Sequence, residues 1–239
     1  MRTYSVSRAQ TSVNLGLRAY FVQIYRFMSL GLCVSALCAW LGANTPLREI
    51  LYSYRPDGSA VISLVGWIVI LSPLFLVWKI GSNVARMNVK AATSSFYLFA
   101  ALNGLSLSSI FLLYAPETIF STFLICATMF AAFSLYGQTT QRDLSSWGSV
   151  LSMGVFGLIL AMLVNMFMHS PALAYAVSII GVVIFSALMI YDTQRIRQIY
   201  NESTQEQVRQ SLAVLAALSL YLDFINLFLF LLSSLRNRQ

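Results

Sequence analysis

The chain has 239 residues, 58% of them hydrophobic and only 10% charged, with a mean hydropathy of +0.74. No soluble domain of this size requires so apolar a composition, so the chain reads as one polytopic membrane domain with little length left for a second. Fifteen Lys and Arg against eight Asp and Glu give a net charge of +7; in a membrane protein that excess points to loops held on one side of the bilayer, not to nucleic acid.

Residues 1–19 are polar to amphipathic, carry Arg2, Arg8 and Arg18, and read as a cytoplasmic N-terminal segment ahead of a single seven-helix transmembrane domain over 20–239. The first span covers about Phe21–Gly42, with Arg26 near its cytoplasmic end. It reads as a true span and not a cleaved leader, because the segment before it is long and shows no small-x-small cleavage site. Residues 43–59 form a loop marked by Pro46, Pro56 and Asp57-Gly58, with Leu47–Tyr54 lying flat in the membrane interface. The second span covers about Ala60–Trp78 and contains Pro73, which a membrane helix tolerates. Lys79, Arg86 and Lys90 follow it.

The third span, about Ala91–Leu113, carries Asn103, Gly104, Ser106, Ser108 and Ser109. Gly104 and Ser108 are a small-xxx-small pair, a signal of close helix packing and not of chemistry. A turn at Tyr114–Glu117 leads to the fourth span, about Ile119–Tyr136. A polar connector to Ser146 holds Arg142 and Asp143, and the fifth span covers Trp147–Met168. After His169-Ser170-Pro171 the sixth span covers about Ala172–Tyr191 and is closed by Asp192; residues 193–210 are hydrophilic, and the seventh span covers about Ser211–Leu235.

Seven spans of about 20 residues each make an all-α fold. Taking alternate sides, eleven Lys and Arg fall on the side of the N-terminus and four on the other, so the N-terminus is expected in the cytoplasm. Cys33, Cys38 and Cys126 lie in apolar stretches, where a thiol acts as a small hydrophobe. No disulfide framework is expected, and three scattered thiols with His169 do not make a metal site.

The one charge inside the last span is Asp223. A carboxylate at the centre of a bilayer costs roughly 2.5 to 3.5 kcal/mol on insertion scales, so Asp223 is expected to face protein. Ser219 and Asn226 stand four residues before and three after it, which puts all three on one helix face. Asp192 ends the preceding span. If the last helix begins at Ser211, Asp223 lies about 18 Å from its start; an earlier start or a water-filled funnel brings the two acids level. Two carboxylates meeting in a low-dielectric interior would share a proton, and Arg86 is the candidate counterion.

Paired carboxylates suit pH switching, peptide hydrolysis or weak binding of a hard cation, with Asp192 and Asp223 as tentative calcium ligands. Tyr191-Asp192 fits half of the intramembrane aspartyl protease pattern, but Leu220-Tyr221-Leu222 stands where the second half needs Gly-x-Gly. A Ser/His protease is weaker still, since the sole His169 lies at the far edge and no Gly-x-Ser-x-Gly is present. The last span has no Lys for a retinal link. The chain is therefore expected not to be an enzyme and to need no cofactor.

Tyr191-Asp192-Thr193-Gln194-Arg195-Ile196 and the run Ala217–Phe228 resemble the Bax inhibitor-1 family, also called the transmembrane Bax inhibitor motif family. Asn103–Phe111 and Arg142–Ser145 support the resemblance, which covers roughly 20–235. It implies a bacterial inner-membrane protein of seven helices with the last surrounded by the other six. It also implies a pH-sensitive calcium leak, with Asp192 and Asp223 as the paired acids, Arg86 as a cationic latch, and Asn226, Ser219 and Asn103 as polar residues along the path. Bacterial relatives that modulate a membrane-bound protease suggest the alternative, a non-transporting regulator or stress modulator acting through protein partners.

Overall fold

Helix formation here follows from hydrocarbon as solvent: with no water to bond, each backbone N–H and C=O must be satisfied within its own segment. The computed structural model describes residues 2–54, 60–83, 88–202 and 205–236. Its helices are α1 (Arg2–Asn44), α2 (Leu47–Leu51), α3 (Leu64–Asn83), α4 (Val89–Ser106), α5 (Ile110–Leu113), α6 (Pro116–Thr139), α7 (Trp147–Met168), α8 (Pro171–Glu202) and α9 (Glu206–Arg236). A 3-10 turn, Leu107–Ser109, joins α4 to α5. Seven segments are long and apolar enough to cross a membrane: Leu15–Asn44, Leu64–Ser82, Val89–Leu113, Pro116–Thr139, Trp147–Met168, Pro171–Glu202 and Val208–Arg236. The chain is a multi-pass, all-α membrane protein.

The boundaries depart from the sequence reading where polarity and helix propensity part company. Residues 43–59 are more than a loop, because they hold α2 and the strand β1 (Tyr52–Tyr54), which pairs antiparallel with β2 (Ala60–Ile62) in the register Tyr52↔Ile62. The second span therefore starts at Leu64 and not at Ala60. Ser63 sets that start: its hydroxyl donates to Ile50 O and accepts from Gly66 N at 3.0 Å. The sixth helix does not close at Asp192 but runs ten residues further, to Glu202. Thr193–Glu202 contains no Gly or Pro, so leaving the apolar zone ends the membrane-compatible run without ending the helix. The same holds at the start, where α1 extends back to Arg2.

The described chain groups into two compact units, Met1–Tyr114 with Ser203–Leu218, and Ala115–Glu202 with Ser219–Gln239. In the first, α4 packs against both α1 and α3. Pro73 removes the N–H that would bond to Val69 O; that carbonyl instead accepts from the hydroxyls of Ser72 at 2.8 Å and Ser106 at 3.0 Å. Ser35 Oγ donates to Ala100 O at 2.7 Å, and a Cβ on Gly104 would collide with the Ser35 backbone. Ser108, the other half of the small pair, is fully buried and shares a 2.9 Å hydrogen bond with the Tyr52 hydroxyl. Both residues serve packing.

In the second unit, α8 packs against α6 and α7, and α9 packs against α8 and α6. Phe123 and Phe130 of α6 meet the Phe224 ring edge-on at 5.5 and 6.1 Å between centroids. The last helix is the interior one: its most apolar stretch is 61% buried, against 11–33% for the other six spans. Exposed side chains such as Trp67, Leu74 and Trp78 on α3, and Val150, Phe156 and Phe167 on α7, are what lipid requires of outer faces.

Gly104→Ala should destabilise the protein by about 1–3 kcal/mol, because backbone stands where the methyl must go. Gly157→Ala, with nothing within 4 Å of its Cβ position, should leave thermal stability in detergent unchanged or slightly raised. Both are read by thermal unfolding of the purified protein.

Candidate functional site

A chain of contacts between α8 and α9 sets their register. Ser178 Oγ bonds to Ser233 Oγ at 3.0 Å, Gly181 lies against the Phe230 ring, and Phe185 stacks on Phe230 with centroids 5.6 Å apart. The numbers rise on one helix as they fall on the other or hold, so the pair is antiparallel. Seven residues on from Phe185 along α8 is Asp192, and seven back from Phe230 along α9 is Asp223. Two turns on each helix therefore carry the register of the aromatic stack to the two acids. The longer α8 and the early start of α9 at Glu206 bring level two residues that stand at different distances from the connector.

Asp223 is 6% exposed, and its Oδ2 has no hydrogen-bond partner among the described residues. Asp192 is half-buried and close enough to act electrostatically on Asp223. Arg195, exposed and one turn beyond on α8, acts on Asp192 from the other side. The arrangement is thus a buried carboxyl, a partly exposed carboxyl and a guanidinium at the surface. Arg195 was not among the expected site residues, although its i, i+3 spacing from Asp192 marked it.

Arg86, the expected counterion, lies outside the described residues. Asn103 is half-buried on α4 and belongs to the first unit. Ser219 and Asn226 are half-buried on α9, and Asn226 donates to Leu222 O at 2.8 Å. No group of three or more His, Cys, Asp or Glu able to hold a metal is present among the described residues. Two carboxyls fall short of the six to eight oxygens calcium takes. Cys33, Cys38 and Cys126 are free thiols.

The motif around Asp192 also braces the connector between α6 and α7. Gln194, 7% exposed, donates from Nε2 to Arg142 O at 2.6 Å and accepts at Oε1 from Leu144 N at 2.9 Å. Arg197 donates to Gln138 O at 3.0 Å. Thr193 bonds back to Met189 O at 2.7 Å and meets Ser134 across the helix interface at 3.4 Å. Within the connector, the Ser145 hydroxyl and amide both donate to Asp143 Oδ1, at 2.6 and 2.9 Å, and hold that carboxyl below its usual 3.8. Asp192 is thereby fixed by the residues that follow it.

The family model described as inhibitor of apoptosis-promoting Bax1 matches residues 17–239. The chain is 42% identical over 229 residues to inner membrane protein YbhL of Escherichia coli strain K12, covering 94% of each chain. It is 37% identical over 239 residues to protein RP147 of Rickettsia prowazekii, covering all of this chain and 98% of the relative. A protein of Caulobacter vibrioides is 38% identical over 234 residues, covering 97% of this chain and 94% of the relative.

Replacing Gln194 by Ala leaves the buried Leu144 N–H and Arg142 C=O without partners and should cost about 1–3 kcal/mol of local stability. Hydrogen exchange at the Leu144 amide should speed by at least about tenfold, the equivalent of 1.4 kcal/mol. Ser145→Ala should return the Asp143 titration to the ordinary carboxylate range, read by carboxyl carbon NMR. Because its folded-state value is the lower one, the bracing by Asp143 is complete above the ordinary range and lost as pH falls through the depressed value.

Proposed function

The chain belongs to the Bax inhibitor-1 family, and on that footing we propose that it is a pH-sensitive leak path for calcium, gated by Asp192 and Asp223. The observation that carries this reading is the carboxyl pair itself. It is an intramembrane acid with an unpartnered oxygen, in electrostatic reach of a second acid on the adjoining helix. Intramembrane acids are expensive to keep and mark ion or proton pathways.

Each proton gained or lost changes the interior charge by a full unit, and with it the repulsion across the α8–α9 contact. The other charged groups near the pair are few. Arg195 acts on Asp192, α7 carries no charged residue, and α6 carries only Glu117 in its first turn. Arg86 enters this reading as a second cation, by resemblance alone. A bias of a few kcal/mol between two packings suffices for a switch. Calcium prefers oxygen donors and sheds water at modest cost, so carboxyls backed by Asn226 and Ser219 suit its transit. YbhL, described as an inner membrane protein, supports the same location here, and the eleven-to-four asymmetry of basic residues supports a cytoplasmic N-terminus. The reading is non-enzymatic and calls for no resident cofactor; lipid, protons and calcium are its partners.

Purified protein in liposomes loaded with a calcium dye should leak at a rate that changes several-fold across neutral pH. Asp192→Asn and Asp223→Asn should each flatten that dependence. Variants that keep the wild-type pH profile would show that the pair is not the gate. An absence of flux in wild type, with a membrane protease recovered stoichiometrically by cross-linking in native membranes, would replace this reading with the regulatory one.

A further inference from the structure

The second unit holds a cleft of about 320 Å³ lined by Met162 and Asn165 of α7, Val177 and Ser178 of α8, and Asn226 and Ser233 of α9. It lies at the end of these helices that carries the α7–α8 turn, where Asn165 Oδ1 accepts from Ser170 N at 3.0 Å. Its walls are mixed. Asn165, Ser178, Asn226 and Ser233 are polar, and the Asn226 side chain spends only its N–H on the protein, donating to Leu222 O. The carboxamide oxygen of Asn226 and the amide nitrogen of Asn165 make no hydrogen bond among the described residues. Ser178 and Ser233 bond to each other at 3.0 Å, so the two unmet carboxamide groups are the ones costly against hydrocarbon, and they suit water, which needs two to four polar partners.

The cleft points at the acids. Asp223, Asn226, Phe230 and Ser233 follow one another at spacings of three, four and three, so they form a single stripe along α9. Between the cleft and the acids, Phe230 stacks on Phe185, with the Phe230 ring seated against Gly181, where an added Cβ would stand 2.5 Å from the ring. We infer that this cleft is a water-holding vestibule opening on the face of the α7–α8 turn, and that the Phe185–Phe230 stack is the apolar plug dividing it from Asp192 and Asp223. The plug assignment rests on the acid-pair reading above, whereas the vestibule does not. Apolar constrictions of this kind close a path by shedding water and open it by moving a ring. Gly181 is what lets the ring lie flat in the closed position.

The test is thiol accessibility, which needs no ion flux. In full-length protein with Cys33, Cys38 and Cys126 replaced by Ala, single Cys substitutions are introduced at Ser233, Asn226, Met189 and Ile180. A membrane-impermeant charged methanethiosulfonate is then applied to each face of oriented vesicles. Ser233→Cys and Asn226→Cys, both half-buried on the cleft wall, should react from one face only. Ile180→Cys, at the same depth but on an exposed apolar position, should not react. Met189→Cys, buried beyond the plug, should be slow and should speed at least about tenfold when Phe230→Ala is added. Gly181→Ala, which displaces the ring without deleting it, should produce the same change and covers the case in which Phe230→Ala misfolds. Ser233→Cys and Asn226→Cys as inert as Ile180→Cys would overturn the vestibule. A reactive cleft with Met189→Cys unmoved by both plug variants would overturn the plug. Labelling as expected in protein that passes no calcium would keep the vestibule and discard the leak function.

Discussion

A carboxylate in the middle of a membrane helix is the constraint from which much of this architecture follows. Asp223 would cost roughly 2.5 to 3.5 kcal/mol facing lipid at mid-bilayer, so α9 has to be an inner helix. The burial pattern agrees: α9 is about twice as buried along its apolar stretch as any other span. Its remaining side chains are fitted to neighbours accordingly, with Phe224 between two rings of α6 and Phe230 against Gly181 and Phe185 of α8. The six other spans present Trp, Leu, Phe and Val outward, as a hydrocarbon solvent demands.

Much of the other polar inventory is handled by local satisfaction. Pro73 frees a carbonyl, and two serine hydroxyls take it up. Ser35 and Gly104 let α1 and α4 approach closely enough for a side chain to bond across to the facing backbone. Gln194 closes both a carbonyl and an amide of the α6–α7 connector. Among the described residues, the hydroxyl of Ser186 and the Oδ2 of Asp223 are buried without a hydrogen-bond partner. Of these two, only Asp223 carries a charge that responds to protons.

The acids are also held unequally. Asp192 is partly exposed, has Arg195 one turn away, and sits at the head of a run of residues that pin α8 to α6 and to the connector. Asp223 is enclosed and flanked by Ser219 and Asn226. One carboxyl lies near the surface and one inside, on a common register.

Seven apolar runs, their order, the inner position of the last helix and the face shared by Ser219, Asp223 and Asn226 were all legible in the sequence, because hydrocarbon imposes a length and a polarity on each crossing segment. The resemblance carried by Tyr191–Ile196 and Ala217–Phe228 likewise rests on local residue order. What the sequence left open was decided by packing. The level of Asp192 with Asp223 depends on how far α8 runs past the apolar zone and on a register set by Ser178–Ser233 and Phe185–Phe230, contacts 55 and 45 residues apart along the chain. The grip of Gln194 on Leu144, 50 residues apart, was hidden for the same reason. Each depends on which surfaces meet across tens of residues, and side-chain spacing along one segment carries no information about that.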